Sequence, residues 1–477
     1  MNTEPSKPQP IIFNPTRLQT LRTRLQGSVL VPGDEEYDTA RQTWDAKTFD
    51  QHPAIIVLPT VAADVVAAVT FAQEYNLPIA MQGGGHGHPH PADGALLVNF
   101  ANMTRVQIHA ETVTARVEPG ATQGDVIQAA HPYGLAPLNG LAPTVGIVGY
   151  LLGGGVGWLT RQYGPGAISI RSVELVTADG HLLQVDENSY PDLFWGLRGG
   201  GGNFGIVTAL EFALYPVNEI FGGQVVYPIA QGKDILNAYV QWVKTVPDEL
   251  TSALRVMHFP SRPALPPTLR GKSVVVMMAC YNGGEKAGEA LLQPMRTVGT
   301  PLLDTFAQIP YSQVATISND PSEAPPVFYY TESGAFQDVS PNDVETLLGA
   351  AGNPASGIYM VEIRQFGGEL TRQPEAAMPF SLRQATLYLS ALAVAPSPDM
   401  LEGGKQAIAT MMQTLSPGMT GEDLINLGSE NDSHDLTRAA YSQENYRRLV
   451  ALKDKYDPEN IFRFNHNIPP SSYEVES

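Results

Sequence analysis

The chain has 477 residues, 43% of them hydrophobic, and a formal net charge of −19. It is long enough for two domains or an interleaved pair, and its charge is poorly suited to nucleic acid or an anionic membrane surface. No run of about 20 apolar residues offers a membrane span, and the single cysteine, Cys280, excludes an intrachain disulfide and a cysteine metal cage. A reducing, cytoplasmic setting is the expectation.

The first ten residues, MNTEPSKPQP, lack the apolar core of a signal peptide and read as a disordered leader. IIVLPTVAADVVAAVTFAQEYNLPIAMQGGGHG then reads strand, helix, strand. Thr60 is placed to cap the helix. Val61, Val65, Val69 and Ala72 make one apolar stripe, and the helix ends near Asn76, before Pro78. ALLVNF and TVTARVEPG read as strands, the second with Val113, Ala115 and Val117 alternating. SVELVTADGHLLQV is a hairpin turning at Asp179-Gly180, and IVTALEFALYPV is a strand that ends the first part near Val217. From about 218 the glycine clusters thin out. GGQVVYPI, ALRVMHF, KSVVVMMACY, GIYMVEIRQF and ATLYLSALAV read as strands, and GGEKAGEALLQPMRTV and PNDVETLLGAA as helices. The fold class is α+β, an antiparallel sheet with helices on one face. From about 412 the chain changes again and ends in NYRRLVALKDKYDPENIFRFNHNIPP, a helix with Leu449 and Leu452 inward and a packed, extended tail.

Glycine loops carry the chemistry. In RGGGGNFG, Gly200, Gly202 and Gly205 match a dinucleotide-binding fingerprint by spacing, but that motif must follow a strand and open a helix. Here DLFWGL precedes it and the β-branched GIVTALEFAL follows, so the match is rejected; no glycine loop is followed by a Walker lysine either. In MQGGGHGHPH, His86, His88 and His90 alternate, as metal ligands on one strand face would. Pro89 and the glycines break a strand, and Asp93 is the nearby carboxylate. Metal ligands, hydrogen-bonded turn histidines, and a nucleophilic imidazole beside bare backbone that a flat cofactor can approach all remain open on these residues.

QGGGHGHPHPADGALLVNF, GATQGDVIQAAHPYGLAPLNGLAPTVGIVGYLLGGGVGWLTRQYG, SVELVTADG, DLFWGLRGGGGNFGIVTALEFALYPV and KYDPENIFRFNHNIPP together resemble the berberine bridge enzyme-like FAD-linked oxidases of the vanillyl-alcohol-oxidase superfamily. The similarity covers most of the chain in family order. It implies a two-part PCMH-type FAD-binding domain, residues 1–217 (core about 50–217) and 412–477, with a substrate domain at 218–411 inserted on an antiparallel sheet flanked by helices. It implies FAD attached covalently through one histidine and no metal. Gly84-Gly85-His86 matches the attachment motif, with His88 the alternative. Gly83, Gly87, Ala142, Thr144, Val145, Gly146, Gly149, Gly153, Gly154, Gly155, Gly157, Gly205, Val207, Asn465 and Asn467 are the other positions implied at the cofactor, with backbone amides rather than lysines at the phosphates.

The chain departs from the family pattern twice. Many members attach the flavin a second time through a cysteine just before PTVG, where this chain has Ala142. Many carry tyrosines in a Y-x-N-Y segment, one of them the catalytic base, where this chain reads Leu424-Ile425-Asn426-Leu427. Replacement bases are therefore sought on the inserted sheet: Glu362, which shares a strand face with Met360, Arg364 and Phe366; Tyr359, pointing the other way; and Tyr388, with Tyr329 and Tyr330 as further candidates. The reaction implied is hydride transfer from a C–H next to NH or OH of a small substrate to the flavin, with dioxygen reduced to hydrogen peroxide. The missing tyrosine leans the reading toward amines. A dehydrogenase with another electron acceptor and a catalytically silent flavin-binding protein are the alternatives. Substrate identity and oligomeric state are not legible.

Overall fold

A computed structural model describes residues 11–476 except 88–89, 262, 264, 375 and 429–433. The proposed leader and His88 lie outside the described residues, so the three-histidine metal reading is only partly within them.

Three sheets organise the chain. The first orders Ser28–Leu30, Ile55–Leu58, Leu96–Asn99 and Ile79–Gln82, with the last two pairings parallel. The helix Ala62–Tyr75 makes the crossover, and its Val65, Ala68, Val69 and Ala72 are fully buried against that sheet. Thr60 does not cap it: the cap position is Val61. Instead the buried Asp64 carboxylate accepts from Thr60 N and from Gln26 N and Gly27 N, tying the helix start to the first strand. The helix closes on Asn76 in the left-handed region, a conformation that asparagine tolerates better than most residues. The second sheet, Val106–His109, Thr114–Val117, Ile206–Ala213, Ile170–Val176 and Leu182–Asp186, is antiparallel throughout. Val113 was expected in a strand, but it has a φ of +55° and stands just before Thr114.

The third sheet is antiparallel and runs in the order Leu303–Asp304, Glu219–Pro228, Ser273–Tyr281, Leu250–His258, Ile358–Gln365, Leu387–Ala395 and Phe328–Phe336; Ala307–Pro310 also pairs with Glu219–Pro228. Leu254, Val361, Ile363, Leu389 and Ala391 alternate onto one face and share a core with the helices Gly232–Trp242, Glu285–Arg296, Pro341–Ala351 and Pro398–Leu415. The opposite face carries Arg255, Glu362, Arg364, Tyr388, Ser390 and Ser333, in register across four strands. This polar stripe looks toward the glycine-rich part. The buried Arg161 binds the two parts together, its guanidinium donating to the carbonyls of Phe366 (3.1 Å), Pro247 (3.0 Å) and Leu250.

The last helix, Gln443–Tyr456, buries Leu449 and Leu452, and the tail beyond it is packed as expected. Lys453 and Asp457 are both fully buried and paired at 2.7 Å. Lys453 also donates to the carbonyls of Asn203 and Phe462, and Ile468 N donates to the Asn203 side chain. The tail is thereby stitched onto the loop Gly199–Gly205. That loop follows the helix Pro191–Leu197 and precedes the strand Ile206–Ala213, the reverse of a dinucleotide-binding turn. Among the described residues no helix is long and apolar enough to cross a membrane, and no cluster of three His, Cys, Asp or Glu is placed to hold a metal.

Candidate active site

Strand Ile79–Gln82 runs into Gly83–Gly85, which meets the turn at 142–146 backbone against backbone. A β-carbon on Gly84 would stand 2.7 Å from Gly146 N, and one on Gly146 would stand 2.9 Å from Gly84 N. Any side chain at either position would push the two loops apart. The Gly85 carbonyl accepts from Trp44 N at 3.0 Å. The Trp44 indole stacks on the His86 imidazole, with centroids 4.2 Å apart and planes at 20°. One face of the imidazole is covered, while a β-carbon at the next residue, Gly87, would meet nothing within 4 Å. Ala142 and Val145 lie partly exposed in the same turn. Cys280 is fully buried in the inserted sheet, and burial pushes its thiol pKa up.

Several glycines expected at the cofactor are accounted for by protein contacts. A β-carbon on Gly153 would stand 1.7 Å from Asn426 Oδ1, on Gly157 1.7 Å from the Asn139 carbonyl, and on Gly205 2.3 Å from Leu175 Cδ1. Gly154 faces Leu424 and Phe380, and Val207 is buried in the core opposite Leu175. Gly140, Gly155 and Gly166 form a slot for the ring of Tyr150, which β-carbons there would approach at 3.0, 2.7 and 3.3 Å. Gly83 abuts the Pro119 carbonyl, whereas Gly149 faces open space.

The surroundings of the crossing fit a polyhydroxylated, phosphate-bearing ligand such as FAD. Thr144 Oγ1, the Tyr150 hydroxyl, Asn465 Oδ1 and Asn467 Oδ1 are buried with no hydrogen-bond partner among the described residues. Each such group costs about 1–3 kcal/mol if left unpaired. Asn465 approaches Gly202, which faces Met81 at the end of the strand leading to the crossing. Thr144, Tyr150 and the tail asparagines thus supply polar atoms from three separate elements.

On the polar stripe, Glu362 is 1% exposed and held by two arginines: Arg255 Nε donates to Oε2 at 2.5 Å and Arg364 Nε to Oε1. Burial alone would raise its pKa, but the two guanidinium groups outweigh burial and hold it at about 2. Arg255 is shared with Asp320 at 3.1 Å. Tyr388 is fully buried and donates to Asp423 Oδ1 at 2.6 Å; its pKa is pushed far up by burial and by the Asp423 charge. Tyr359 was expected to face away from Met360. A shift in strand pairing between Ile358 and Met360 instead packs both against one cluster, with Leu141, Trp158 and Ile317. Where the family's tyrosines would stand, Leu424 is buried beside Phe380 and Gly154, and Asn426 donates to the Tyr150 carbonyl at 2.6 Å. One functional candidate escaped sequence reading. Asp45, in the motif-free TWDAK, accepts from the Tyr329 hydroxyl at 2.7 Å, and burial raises its pKa to about 6 even though that hydrogen bond lowers it.

Comparison with known proteins points the same way as this geometry. Residues 53–186 match the FAD binding domain family, and residues 423–469 match the berberine and berberine-like family. The (R)-6-hydroxynicotine oxidase of Paenarthrobacter nicotinovorans is 29% identical over 478 residues, covering 94% of this chain and 97% of that protein. The xylooligosaccharide oxidase of Thermothelomyces thermophilus is 26% identical over 467 residues, covering 90% of each. The crystal structure of 6-hydroxy-D-nicotine oxidase from Arthrobacter nicotinovorans superposes with a TM-score of 0.81 at 27% identity, covering 94% of this chain and 98% of that one. The two matched segments flank the inserted sheet, and the relatives align almost end to end. The chain thus carries an FAD binding domain and a berberine-like segment, and along nearly its whole length it is similar to FAD-linked oxidoreductases.

Proposed function

We propose that the protein is an FAD-dependent oxidase that removes a hydride from a carbon next to an amine nitrogen, holds its flavin covalently through His86, and passes the electrons to dioxygen to give hydrogen peroxide. The observation that carries the attachment is the His86 imidazole, which leaves the glycine crossing with one face covered by Trp44 and open space beside Gly87. FAD bound there supplies the electron-accepting ring. Thr144, Tyr150, Asn465 and Asn467 offer its polar edges hydrogen bonds. With Ala142 in the neighbouring turn and Cys280 sealed in another sheet, one covalent link is the expectation.

The amine reading rests on what the polar stripe lacks. An alcohol has a pKa far above neutrality and needs a positioned base to lose its proton as hydride leaves. Glu362 is ionised but locked between two arginines, Tyr388 is tied to Asp423, and positions 424 and 427 are leucines. A neutral amine assists hydride loss with its own lone pair. The similar oxidase named for (R)-6-hydroxynicotine supports this choice over the one named for xylooligosaccharides.

The attachment is tested by acid precipitation of the holoenzyme. A yellow pellet whose proteolytic flavin peptide contains His86, and a colourless pellet from His86→Ala, are expected. Flavin wholly released from the wild type, or retained in His86→Ala and lost in His88→Ala, would overturn the assignment.

A further inference from the structure

The polar stripe ends at the edge strand Phe328–Phe336. Alternation sends Tyr330 to the helix side, where Lys405 stands 5.4 Å from its ring centroid, and sends Tyr329 to the opposite face with Ser333. On that face the Tyr329 hydroxyl donates to Asp45 Oδ2 at 2.7 Å, and Tyr329 N donates to Thr48 Oγ1 at 3.2 Å. Asp45 belongs to the glycine-rich part and directly follows Trp44, the residue stacked on His86. Its other oxygen, Oδ1, has no hydrogen-bond partner among the described residues and is not sealed from solvent. A carboxylate therefore stands where the inserted sheet meets the histidine loop, with one oxygen anchored and the other open.

We propose that Asp45, oriented by Tyr329, is the catalytic proton acceptor of the reaction. This rests on the amine reading above, which, once Asp45 is a base, is carried by the similarity to the oxidase named for (R)-6-hydroxynicotine and no longer by the want of a base. An amine in water near neutrality is mostly protonated and has no lone pair to assist hydride loss. The N–H bond of the bound ammonium breaks, its electron pair stays on nitrogen, and the proton forms an O–H bond at Asp45 Oδ1. FAD held at the glycine crossing would accept the hydride from the carbon next to nitrogen, and the lone pair that Asp45 has freed would close the C=N bond of an iminium. Asp45 later returns its proton to water.

The environment suits the task. Burial raises the Asp45 pKa to about 6 while the Tyr329 hydrogen bond limits the rise, and no charged side chain figures among the causes of the shift. A proton acceptor works best with a pKa near the working pH. Glu362, fixed at about 2 between its arginines, does not meet that condition.

The competing explanation is a strap between the two parts of the molecule. Asp45→Asn separates the two, because the amide oxygen still accepts from Tyr329 while the group no longer takes a proton. The holoenzyme, Asp45→Asn and Tyr329→Phe are compared in two measurements. In an infrared pH titration, the carboxyl band absent from Asp45→Asn is expected to have its midpoint near 6, rising further in Tyr329→Phe, which loses the bond that favours the charged form. A midpoint in the ordinary aspartate range, about 4, overturns the proposal whatever the substrate.

In anaerobic flavin reduction, (R)-6-hydroxynicotine and xylobiose are the probes, and kcat/KM is followed against pH with the probe that reduces the flavin. Asp45→Asn is expected to lose at least about a hundredfold below the pKa of the amine. That loss should shrink above it, where the substrate arrives neutral. A loss that persists at every pH with xylobiose keeps Asp45 as the proton acceptor and discards the amine reading. Unchanged kcat/KM at every pH discards Asp45. If neither probe reduces the flavin, the infrared titration decides.

Discussion

Replacing Glu362 by glutamine preserves shape and removes the one negative charge that lies between Arg255 and Arg364. The folded carboxyl is held at about 2 against an ordinary value of 4.5. At about 1.4 kcal/mol per pH unit, that difference is worth about 3 kcal/mol. The pKa is depressed by folding, so this stability is complete above 4.5 and vanishes as pH falls through about 2. At pH 3 roughly half of it should remain. The variant leaves Arg255 with Asp320 alone and Arg364 without its carboxylate, and breaking a buried pair from one side typically costs about 3–5 kcal/mol, the same order. A chain of this size need not unfold in one step, so the assay is hydrogen exchange at the amides of Ile358–Gln365 and Leu387–Ala395, which reads the local opening free energy. The expected loss is about 3 kcal/mol at pH 7, falling toward half that at pH 3. A loss below about 1 kcal/mol at pH 7 together with a hundredfold or greater fall in kcat would refute the reasoning, because Glu362 would then be a free base rather than the centre of an ion pair.

Ala142→Cys should form a second flavin link in part of the molecules, seen by mass spectrometry as two peptides on one FAD; a wild-type flavin already joined to a Cys280 peptide would contradict the single link. Val145→Leu adds bulk in the turn beside the glycine crossing and should slow reoxidation of reduced flavin in a stopped-flow oxygen mix. Equal rates in both proteins would show that bulk at position 145 does not limit the access of oxygen. Lys453→Met leaves the Asp457 side chain fully buried without its cation, with Ile461 N and Phe462 N as its remaining partners among the described residues. It should destabilise the molecule by about 3–5 kcal/mol, expose the tail beyond Asn460 to proteolysis and lower the FAD content. Unchanged proteolysis would show that the tail is held by other contacts.

What was legible in the sequence is where backbone geometry or periodicity leaves a local mark. The crossing of Gly84 with Gly146 tolerates no β-carbon, so glycine is written at both positions. The helix Ala62–Tyr75 carries its apolar stripe, and the five expected strands of the inserted sheet are marked by alternating or continuous apolar, β-branched runs. The edge strand Phe328–Phe336 was missed because it is polar on both faces: Glu332 lies on the helix side bonded to Tyr330, and Thr331 and Ser333 lie on the other. The helix Pro398–Leu415 was missed because Gly403 and Gly404 interrupt its pattern; Gly404 is there so that the helix can sit on the strand Leu387–Ala395, where a β-carbon would approach Ala393 Cβ at 2.7 Å. Asp45 left no trace, since its meaning depends on Tyr329, 284 residues away in the chain. Gly153, Gly157 and Gly205 carry a mark with two readings. Their loops look like cofactor loops, yet neighbouring protein atoms already explain the missing side chains.

The central claim is tested most directly by mixing the holoenzyme with (R)-6-hydroxynicotine and related secondary and tertiary amines under strict exclusion of air, then admitting oxygen while flavin absorbance and peroxide are both followed. An amine oxidase predicts bleaching of the flavin by at least one amine, then rapid recovery of colour in air with one hydrogen peroxide formed per flavin reoxidised. Bleaching by xylobiose and by no amine would contradict the substrate class, and bleaching by an amine followed by slow recovery without peroxide would show a dehydrogenase instead of an oxidase.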